Sequence, residues 1–249
     1  MAFWDLFKKK EVLEPVDFGL LKVDMHSHLI PGIDDGAKTM DDTIAMLAKF
    51  ESMGYQKVIT TPHIYSDCYK NTPEIIRNGL EKVRETANAL GLRIEIDAAA
   101  EYYCDEYFMN VIKNDEFLSI DGKYVLIEFP FMSEMDDWNA YVFQLQAKGF
   151  IPIIAHFERY LYWHGSVSVA KEMKELGCKI QLNVNSLTGH YGPDVKKQAE
   201  RLIDGQLVDF LATDCHRIQH LLLMESKADL PYYHKLFETN NLLNHSLLG

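Results

Sequence analysis

Short apolar segments alternate along the chain with longer amphipathic segments. In residues 72–91, apolar positions such as Ile76 and Leu80 recur every three or four residues and share one face of a helix. Thr72 suits the N-cap of that helix, and Pro73 suits its first turn. A glycine, the residue that most readily ends a helix, follows five such segments, at Gly54, Gly91, Gly149, Gly177 and Gly205. The pattern therefore predicts helices that alternate with strands.

The apolar segments predict seven strands, near residues 20–25, 57–61, 93–99, 124–128, 151–155, 179–184 and 208–212. Continuous apolar strands that alternate with helices are typical of a parallel sheet with helices on its faces. Seven such units in 249 residues favour a closed or nearly closed (β/α) barrel, with a doubly wound open sheet as the alternative. We predict a single domain at 20–249, preceded by an N-terminal extension at 1–19.

The charge and the cysteines limit the classes of function. A formal net charge of −12 disfavours nucleic acid or a membrane surface as a general partner, because both require a basic surface. No apolar run approaches a membrane span, and the apolar residues of MAFWDLFKKKE precede the lysines, the reverse of a secretory signal. The four cysteines are scattered without metal-finger spacing. We therefore predict a cytoplasmic protein with reduced thiols and without stable membrane insertion.

Side chains that can bind a metal follow six of the seven predicted strands. They are His26, His28, His63, Glu101, Glu128, His156, Asp214 and His216. The carboxyl ends of parallel strands are where such folds form active sites. A single histidine or carboxylate at a strand end is ordinarily a capping or solvated residue. Several carboxylates buried at one edge need cations to neutralise them, so the whole set favours a metal centre.

Two pairs of these residues have a spacing that suits a shared cation. Side chains two positions apart in an extended segment lie on the same face. His26 and His28 can therefore meet one ion, as can Asp214 and His216. Imidazole and carboxylate donors, with no thiolate required, suit manganese, iron or zinc.

Arg159 is a candidate for phosphate binding, because it follows His156 by three residues and arginine offers a planar set of donors to phosphate oxygens. The alternative is a surface-loop arginine paired with Glu158. Two or three metal ions a few ångströms apart are the usual device for hydrolysing phosphate esters, which favours the phosphate interpretation. Aromatic residues near the strand ends would suit a tyrosine ring, although we expect many of them in the core: Tyr65, Tyr69, Tyr102, Tyr103, Phe131, Tyr160, Tyr162 and Trp163.

Seven motifs, in chain order, resemble one known group of enzymes. They are D-x-H-x-H at 24–28, I-P-G-I-D-D-G-A at 30–37, T-P-H at 61–63, A-E-Y-Y at 100–103, L-I-E-F at 126–129, A-H-x-E-R-Y at 155–160 and T-D-x-H at 213–216. Together they resemble the polymerase and histidinol phosphatase (PHP) superfamily. Within it, they are most similar to the manganese-dependent protein-tyrosine phosphatases of bacterial capsule and exopolysaccharide loci. The resemblance covers about residues 20 to 220, and the tail after about 221 stays unaligned.

The resemblance implies a distorted seven-stranded (β/α) barrel with two to three divalent ions, manganese first, with iron or zinc as alternatives. By the matched motifs, one metal takes His26, His28, Glu101 and Asp214, a second shares Glu101 and adds Glu128 and His156, and a third takes Asp35, His63 and His216. Asp35 enters only through the resemblance. Arg159 would bind the phosphate and act with Asp214 and His216 in catalysis. Asp34 is expected to shape its turn, and Asp24 to support the neighbouring histidines.

The implied function is hydrolysis of phosphotyrosine on a partner protein, often a tyrosine autokinase that controls capsular or exopolysaccharide synthesis. A metal-activated water would be the nucleophile. The thiol route is disfavoured, because the residues six positions after the cysteines are Glu74, Asn110, Val184 and Leu221, and none is the arginine that route requires.

Two other functions remain as alternatives. One is hydrolysis of a small phosphate ester such as histidinol phosphate. The other is a non-catalytic binding module, which is disfavoured because all nine ligand positions are filled. Many members of the family carry an arginine soon after Asp-x-His that helps bind the phosphate. This sequence reads HRIQHLLL there, and Arg217 or His220 could take that role. The sequence leaves the oligomeric state open.

Overall fold

Nine parallel strands form the centre of the part of the chain that the computed structural model describes, residues 13–114 and 117–248. They are β1 (Val23–Asp24), β2 (Lys57–Thr60), β3 (His63–Ile64), β4 (Glu95–Ala98), β5 (Glu101–Tyr103), β6 (Tyr124–Glu128), β7 (Ile151–Ile154), β8 (Lys179–Asn183) and β9 (Phe210–Ala212). Every residue of β6 is buried, as expected for an apolar strand that is covered on both faces.

The strands pair in two sheets, in the orders β1-β2-β4 and β3-β5-β6-β7-β8-β9. Strand order follows chain order, without the reversal that a doubly wound sheet requires. Beyond the strands, Ser27 and Cys215 form a parallel bridge, and the backbone N–H of His28 donates to the carbonyl of Cys215 at 2.9 Å. This bridge places the end of β1 beside the end of β9, so the two sheets curve as part of a barrel.

The predicted parallel α/β architecture is confirmed, and each of the seven predicted strands overlaps an observed one. The predicted count of seven is not confirmed, because the described residues form two further short strands, β3 and β5. β3 follows β2 across Thr61 and Pro62, and proline has no N–H to continue a ladder. β5 follows β4 after Ala99 and Ala100.

Among the described residues, six α-helices lie between the strands and two follow β9. They are α1 (Met40–Ser52), α2 (Pro73–Ala89), α3 (Glu106–Asn114), α4 (Trp138–Ala147), α5 (Ser168–Glu175), α6 (Pro193–Asp204), α7 (Ile218–Ser226) and α8 (Pro231–Thr239). Thr72 caps α2 as predicted, since its hydroxyl accepts from the N–H of Ile75. Thr39 and Asp42 form the capping box of α1.

Two apolar clusters hold these layers together. The larger lies between the helices and the strands and contains Ile76 of α2 with Val125 and Ile127 of β6. The smaller contains Leu126 of β6, because successive side chains of a strand point to opposite faces. Phe210 of β9 and other strand residues join Leu126 on this inner face. The metal-competent residues follow the strands at the carboxyl end of the same inner face.

The C-terminal tail closes the other end of the strands. The Asn244 amide donates to the carbonyls of Val23 (3.0 Å) and Leu211 (2.7 Å), and its carbonyl accepts from the N–H of Leu211 (3.1 Å). One buried side chain thereby links β1 to β9. Leu247 packs into the inner cluster beside them.

The N-terminal extension is described only in part, because residues 1–12 lie outside the described residues. Phe18 is buried in the larger cluster, with its ring centroid 5.1 Å from that of Tyr233. The boundaries at 1–19 and 20–249 stay a prediction. Among the described residues, the helices are too short or too polar to cross a lipid bilayer.

Candidate metal centre

The strand ends and the loop after β1 bring all nine predicted ligands together. Their donor atoms form overlapping groups in which every atom lies within 4.8 Å of the others: His28, Asp35, His63 and His216; His26, His28 and Asp214; His26, Glu101 and His156; His63, Glu101 and Glu128. His63, Glu101 and His156 come from or directly follow β3, β5 and β7, so the parallel register of the sheet places them side by side. That these residues bind metal stays a prediction.

The first group is buried, with only Asp214 reaching the cavity described below. His26 Nε2 lies 3.1 Å from Glu101 Oε2 and 3.5 Å from Asp214 Oδ1. His28 Nε2 lies 3.5 Å from the same Glu101 oxygen and 3.4 Å from the same Asp214 oxygen. The two imidazoles also bring their Nε2 atoms to 3.3 Å from each other. Four donor atoms therefore face one point.

The partners of the remaining imidazole nitrogens fit a cation at that point. His26 Nδ1 lies 3.0 Å from Gln181 Oε1, an atom that also accepts from the N–H of His156 and so is the amide oxygen. His28 Nδ1 lies 2.8 Å from Asp34 Oδ2. Because each Nδ1 faces an acceptor, it carries the ring proton. In a neutral ring the Nε2 atom then has a free lone pair, and it faces the point shared by the four donor atoms. This is the arrangement that orients histidine ligands around metals.

The second group surrounds Glu101 from the opposite side. His156 Nε2 lies 2.9 Å from Glu101 Oε1 and 3.4 Å from Glu128 Oε1. Glu101 thus directs one oxygen to each side, which is the geometry of a carboxylate that bridges two cations. His156 adopts a left-handed backbone conformation, with φ at 30°, two residues after the end of β7. A non-glycine residue in this conformation is uncommon and tends to occur at functional sites.

The third group lies nearer the surface. Asp35 Oδ1 is 3.5 Å from His63 Nε2 and 3.3 Å from His216 Nε2. The Asp35 side chain is 52% exposed, against 15% for His63 and 18% for His216. His63 also places Nδ1 3.0 Å from Glu101, so it contacts both the buried and the exposed parts of the cluster.

The buried charges strongly perturb one another. Burial disfavours the charged forms of His26 and His28, but nearby carboxylates outweigh it and raise both pKa values. Burial also opposes ionisation of Glu101 and Asp214, but the surrounding histidines lower both pKa values well below the usual range. Glu128 behaves differently, since burial and repulsion from Glu101 raise its pKa to about 8.

Arg159 lies at the edge of this cluster. Its Nη1 donates to Asp214 Oδ2 at 3.3 Å, and its guanidinium lies 4.6 Å from the ring centroid of Phe131 and 4.7 Å from that of Tyr191. Glu158, the alternative partner, instead accepts from the N–H of Asn183 at 2.9 Å and from the Ser186 hydroxyl. Arg159 is therefore held beside the metal-competent residues and between two aromatic rings.

A cavity of about 510 Å³ opens above the cluster. Its floor and rim include Glu128, His156, Asp214 and Arg159. Of the aromatic residues noted in the sequence, Tyr65, Tyr69, Tyr103 and Phe131 line it. Tyr102 and Tyr160 are completely buried instead, as expected for core residues. Tyr191, which was not among the predicted residues, is a further aromatic residue of the wall.

Several polar residues that orient the cluster were not predicted. Gln181 fixes His26, and Asn183 donates to Asp214 Oδ2 at 2.7 Å. The signal for both was present in the strand KIQLN, where two buried amides stand two positions apart among apolar residues. Asp34 does shape its turn, by accepting from the N–H of Gly36, but it also binds His28. Asp24 accepts from both the N–H and the hydroxyl of Thr213, at the end of β9.

Residues 22–230 match the family described as capsular polysaccharide synthesis, CpsB/CapC. The chain belongs to the CpsB/CapC family. It is 29% identical over 221 residues to the tyrosine-protein phosphatase YwqE of Bacillus subtilis, a match that covers 84% of this chain and 87% of YwqE. It is 30% identical over 197 residues to CapC of Staphylococcus aureus, covering 79% of this chain and 77% of CapC.

The fold agrees with this membership. It matches, with a TM-score of 0.77 and 27% identity, a structure from the work on YwqE of B. subtilis and CpsB of Streptococcus pneumoniae, which are metal-dependent tyrosine phosphatases. That match covers 91% of this chain and 94% of the other. The predicted resemblance to phosphatases of capsule loci is confirmed at the level of the family.

Proposed function

We propose that this CpsB/CapC-family protein is a metal-dependent phosphatase that hydrolyses phosphotyrosine on a partner protein. The observation that carries the proposal is the convergence of nine nitrogen and oxygen donors beside Arg159, at the base of one open cavity. The named activity of YwqE and CpsB supports it.

The donor set suits two to three divalent cations, with manganese as the expected metal and iron or zinc as alternatives. His26, His28, Glu101 and Asp214 would hold one, Glu101, Glu128 and His156 a second, and Asp35, His63 and His216 a third. When bound, such cations supply Lewis acidity and an activated water for attack on a phosphate ester. The Nε2 atoms of His26 and His28 both face carboxylate oxygens of Glu101 and Asp214, which supports the first site.

Asp214 and Arg159 would connect the metals to the phosphate. One oxygen of Asp214 faces His26 and His28, and the other faces Arg159. Because the aromatic rings of Phe131 and Tyr191 restrain the guanidinium, Arg159 can offer its donors to phosphoryl oxygens with little loss of side-chain entropy. His216 binds Asp35 and lines the cavity, where it would act with Asp214 to hold the reacting phosphate.

The walls of the cavity favour an aryl phosphate over a small polar ester. The rings of Tyr65 and Tyr103 stack with centroids 4.0 Å apart, and Phe131 and Tyr191 lie on the Arg159 side. An aromatic ring inserted between such walls gains both burial and ring contacts. A phosphotyrosine side chain meets this requirement with an apolar phenyl ring, whereas histidinol phosphate would place an ammonium group and a smaller, polar imidazole ring there.

The partner we propose is a bacterial tyrosine autokinase of a capsule or exopolysaccharide locus, encountered in the cytoplasm. The buried, unpaired Cys104, Cys178 and Cys215 support a reducing compartment. We also propose that β1 to β9 make up a distorted seven-stranded barrel, in which β2 with β3 and β4 with β5 each count as one interrupted strand. We further propose a single domain at 20–249.

The test compares a phosphotyrosine peptide with histidinol phosphate on manganese-loaded protein. We expect a higher kcat/KM for the peptide, loss of turnover in Glu101→Ala and His156→Ala, and no change in Glu106→Ala, an exposed glutamate of α3. Clear preference for histidinol phosphate would refute the phosphotyrosine assignment. Unchanged turnover in Glu101→Ala would refute the metal centre as the catalytic site.

A further inference from the structure

A second cavity adjoins the one above the metal centre. It measures about 250 Å³ and lies between the loop after β1, the first turns of α1 and the start of α7. Asp35, His216 and Arg217 line both cavities. A substrate whose phosphate reaches the metal centre can therefore extend over these three residues into the second cavity.

The charges in the second cavity favour an anion. Lys38 and Arg217 form no ion pair with any carboxylate of the described residues. The Lys38 ammonium donates to the backbone carbonyl of Asp34 at 3.3 Å, and the Arg217 Nε–H donates to His220 Nε2 at 3.2 Å. Both contacts are to neutral groups, so they hold the two cations in place without neutralising them.

The two acids of the same cavity are already engaged. Asp35 lies against His63 and His216 in the metal-competent cluster. Asp42 accepts from the N–H and the hydroxyl of Thr39 in the capping box of α1. Asp42 keeps its charge, but Lys38 and Arg217 outnumber it, so the lining outside the metal-competent cluster is net positive, on a chain whose net charge is −12. An anionic ligand group would meet favourable charge here and repulsion over most of the remaining surface.

We propose that the second cavity binds a further anionic group of the substrate, a carboxylate or a second phosphate close to the phosphotyrosine, through Lys38 and Arg217. The inference rests on the proposed function and adds a substrate preference to it. Alternate side chains of an extended peptide lie on one face, so a residue near the phosphotyrosine in sequence can enter the second cavity while the phosphotyrosine fills the first.

The test uses manganese-loaded protein and a set of phosphotyrosine peptides with alanine at the flanking positions. Glutamate or phosphoserine is placed in turn at each of the three positions on either side, and p-nitrophenyl phosphate serves as a substrate that fills only the first cavity. We expect one or two positions at which the anionic residue raises kcat/KM about tenfold, the size of a single charge-assisted hydrogen bond. The increase should shrink with added salt.

The variant Lys38→Glu separates local from general charge effects. Lys38→Glu should remove the preference for peptides with an anionic flanking residue. The control is Lys82→Glu, which makes the same change in charge at an exposed position of α2 and should leave that preference intact. A preference for glutamate, for phosphoserine or for both supports the proposal and identifies the anion. Equal rates for all flanks, or equal loss in the two variants, overturns it. Failure on every phosphotyrosine peptide and on p-nitrophenyl phosphate would refute the proposed function instead.

Discussion

The contact of Tyr191 with Arg159 gives a prediction whose magnitude follows from the structure. The ring lies 4.7 Å from the guanidinium, whose side chain is 27% exposed, so the pair is mostly shielded from water. A cation–π contact in such a setting contributes about 1 kcal/mol. Tyr191→Leu removes the ring and should lower kcat/KM for p-nitrophenyl phosphate about fivefold. Tyr191→Phe keeps the ring and loses only the hydroxyl, so it should remain within about twofold of the parent.

A double-mutant cycle tests whether Tyr191 acts through Arg159. Steady-state kcat/KM and the inhibition constant of inorganic phosphate are measured for the parent, Tyr191→Leu, Arg159→Ala and the double variant. If the ring restrains the guanidinium, Tyr191→Leu should have less than about a twofold effect once Arg159 is absent. The same fivefold loss in both backgrounds would show that Tyr191 has a general structural role and would refute the reasoning.

Three further predictions concern the metals, the protons they displace and the C-terminal tail. A chelator should abolish phosphatase activity and added manganese should restore it, while a thiol alkylator leaves activity intact, because three of the four cysteines are buried. Metal-free protein should release protons on binding manganese at pH 7, since Glu128, with a pKa of about 8, is then protonated and must ionise to become a ligand. Apparent affinity should therefore rise as pH approaches 8, and titration calorimetry in buffers of different ionisation enthalpy should give different heats. Identical heats in all buffers would contradict this. Asn244→Ala leaves backbone groups of Val23 and Leu211 without partners and should lower the free energy of unfolding by roughly 2–4 kcal/mol. Ser246→Ala, at an exposed site of the same segment, should change it by less than about 0.5 kcal/mol in the same denaturant titration.

The fold was largely predictable because its strands are continuous apolar runs that differ sharply from the helices between them. The segment 124–128 is predicted and observed with the same bounds. The breaks that separate β2 from β3 and β4 from β5 were harder to predict. Ala99 and Ala100 are apolar, so they continue the pattern of β4, and only the pairing with neighbouring strands shows that β5 begins at Glu101. The role of Asn244 was also hidden, because an asparagine in a polar tail gives no indication that β1 and β9 are its partners.

The donors of the cluster were predictable for a different reason. Eight of the nine lie at or just after the end of a predicted strand, and parallel strands that end at one edge bring such residues together whatever the details of packing. Asp35 lies in the loop after β1, and only the family resemblance identified it. The polar residues that hydrogen-bond to these donors are not placed by the strand ends in this way. Gln181 and Asn183 lie within a strand and Asp34 within a turn. The sequence KIQLN places two amides on one face of its strand, but only the structure shows which atom each of the three side chains contacts.

The adjacent aspartates 34 and 35 show where local sequence stops being informative. Both lie in one turn, and composition cannot distinguish them. The turn directs Asp34 inward, where it is 8% exposed and accepts from His28 Nδ1, from the N–H of Gly36 and from the N–H of His63. Only a glycine at position 36 lets the turn pass this close to His28, since a Cβ there would lie 2.2 Å from the backbone oxygen of His28. Asp35 then faces outward to His63 and His216. Exchanging the roles would require the turn to shift by one residue, which the contact of Gly36 with His28 prevents. Which of the two aspartates faces inward and which faces outward thus depends on Gly36 rather than on either carboxylate.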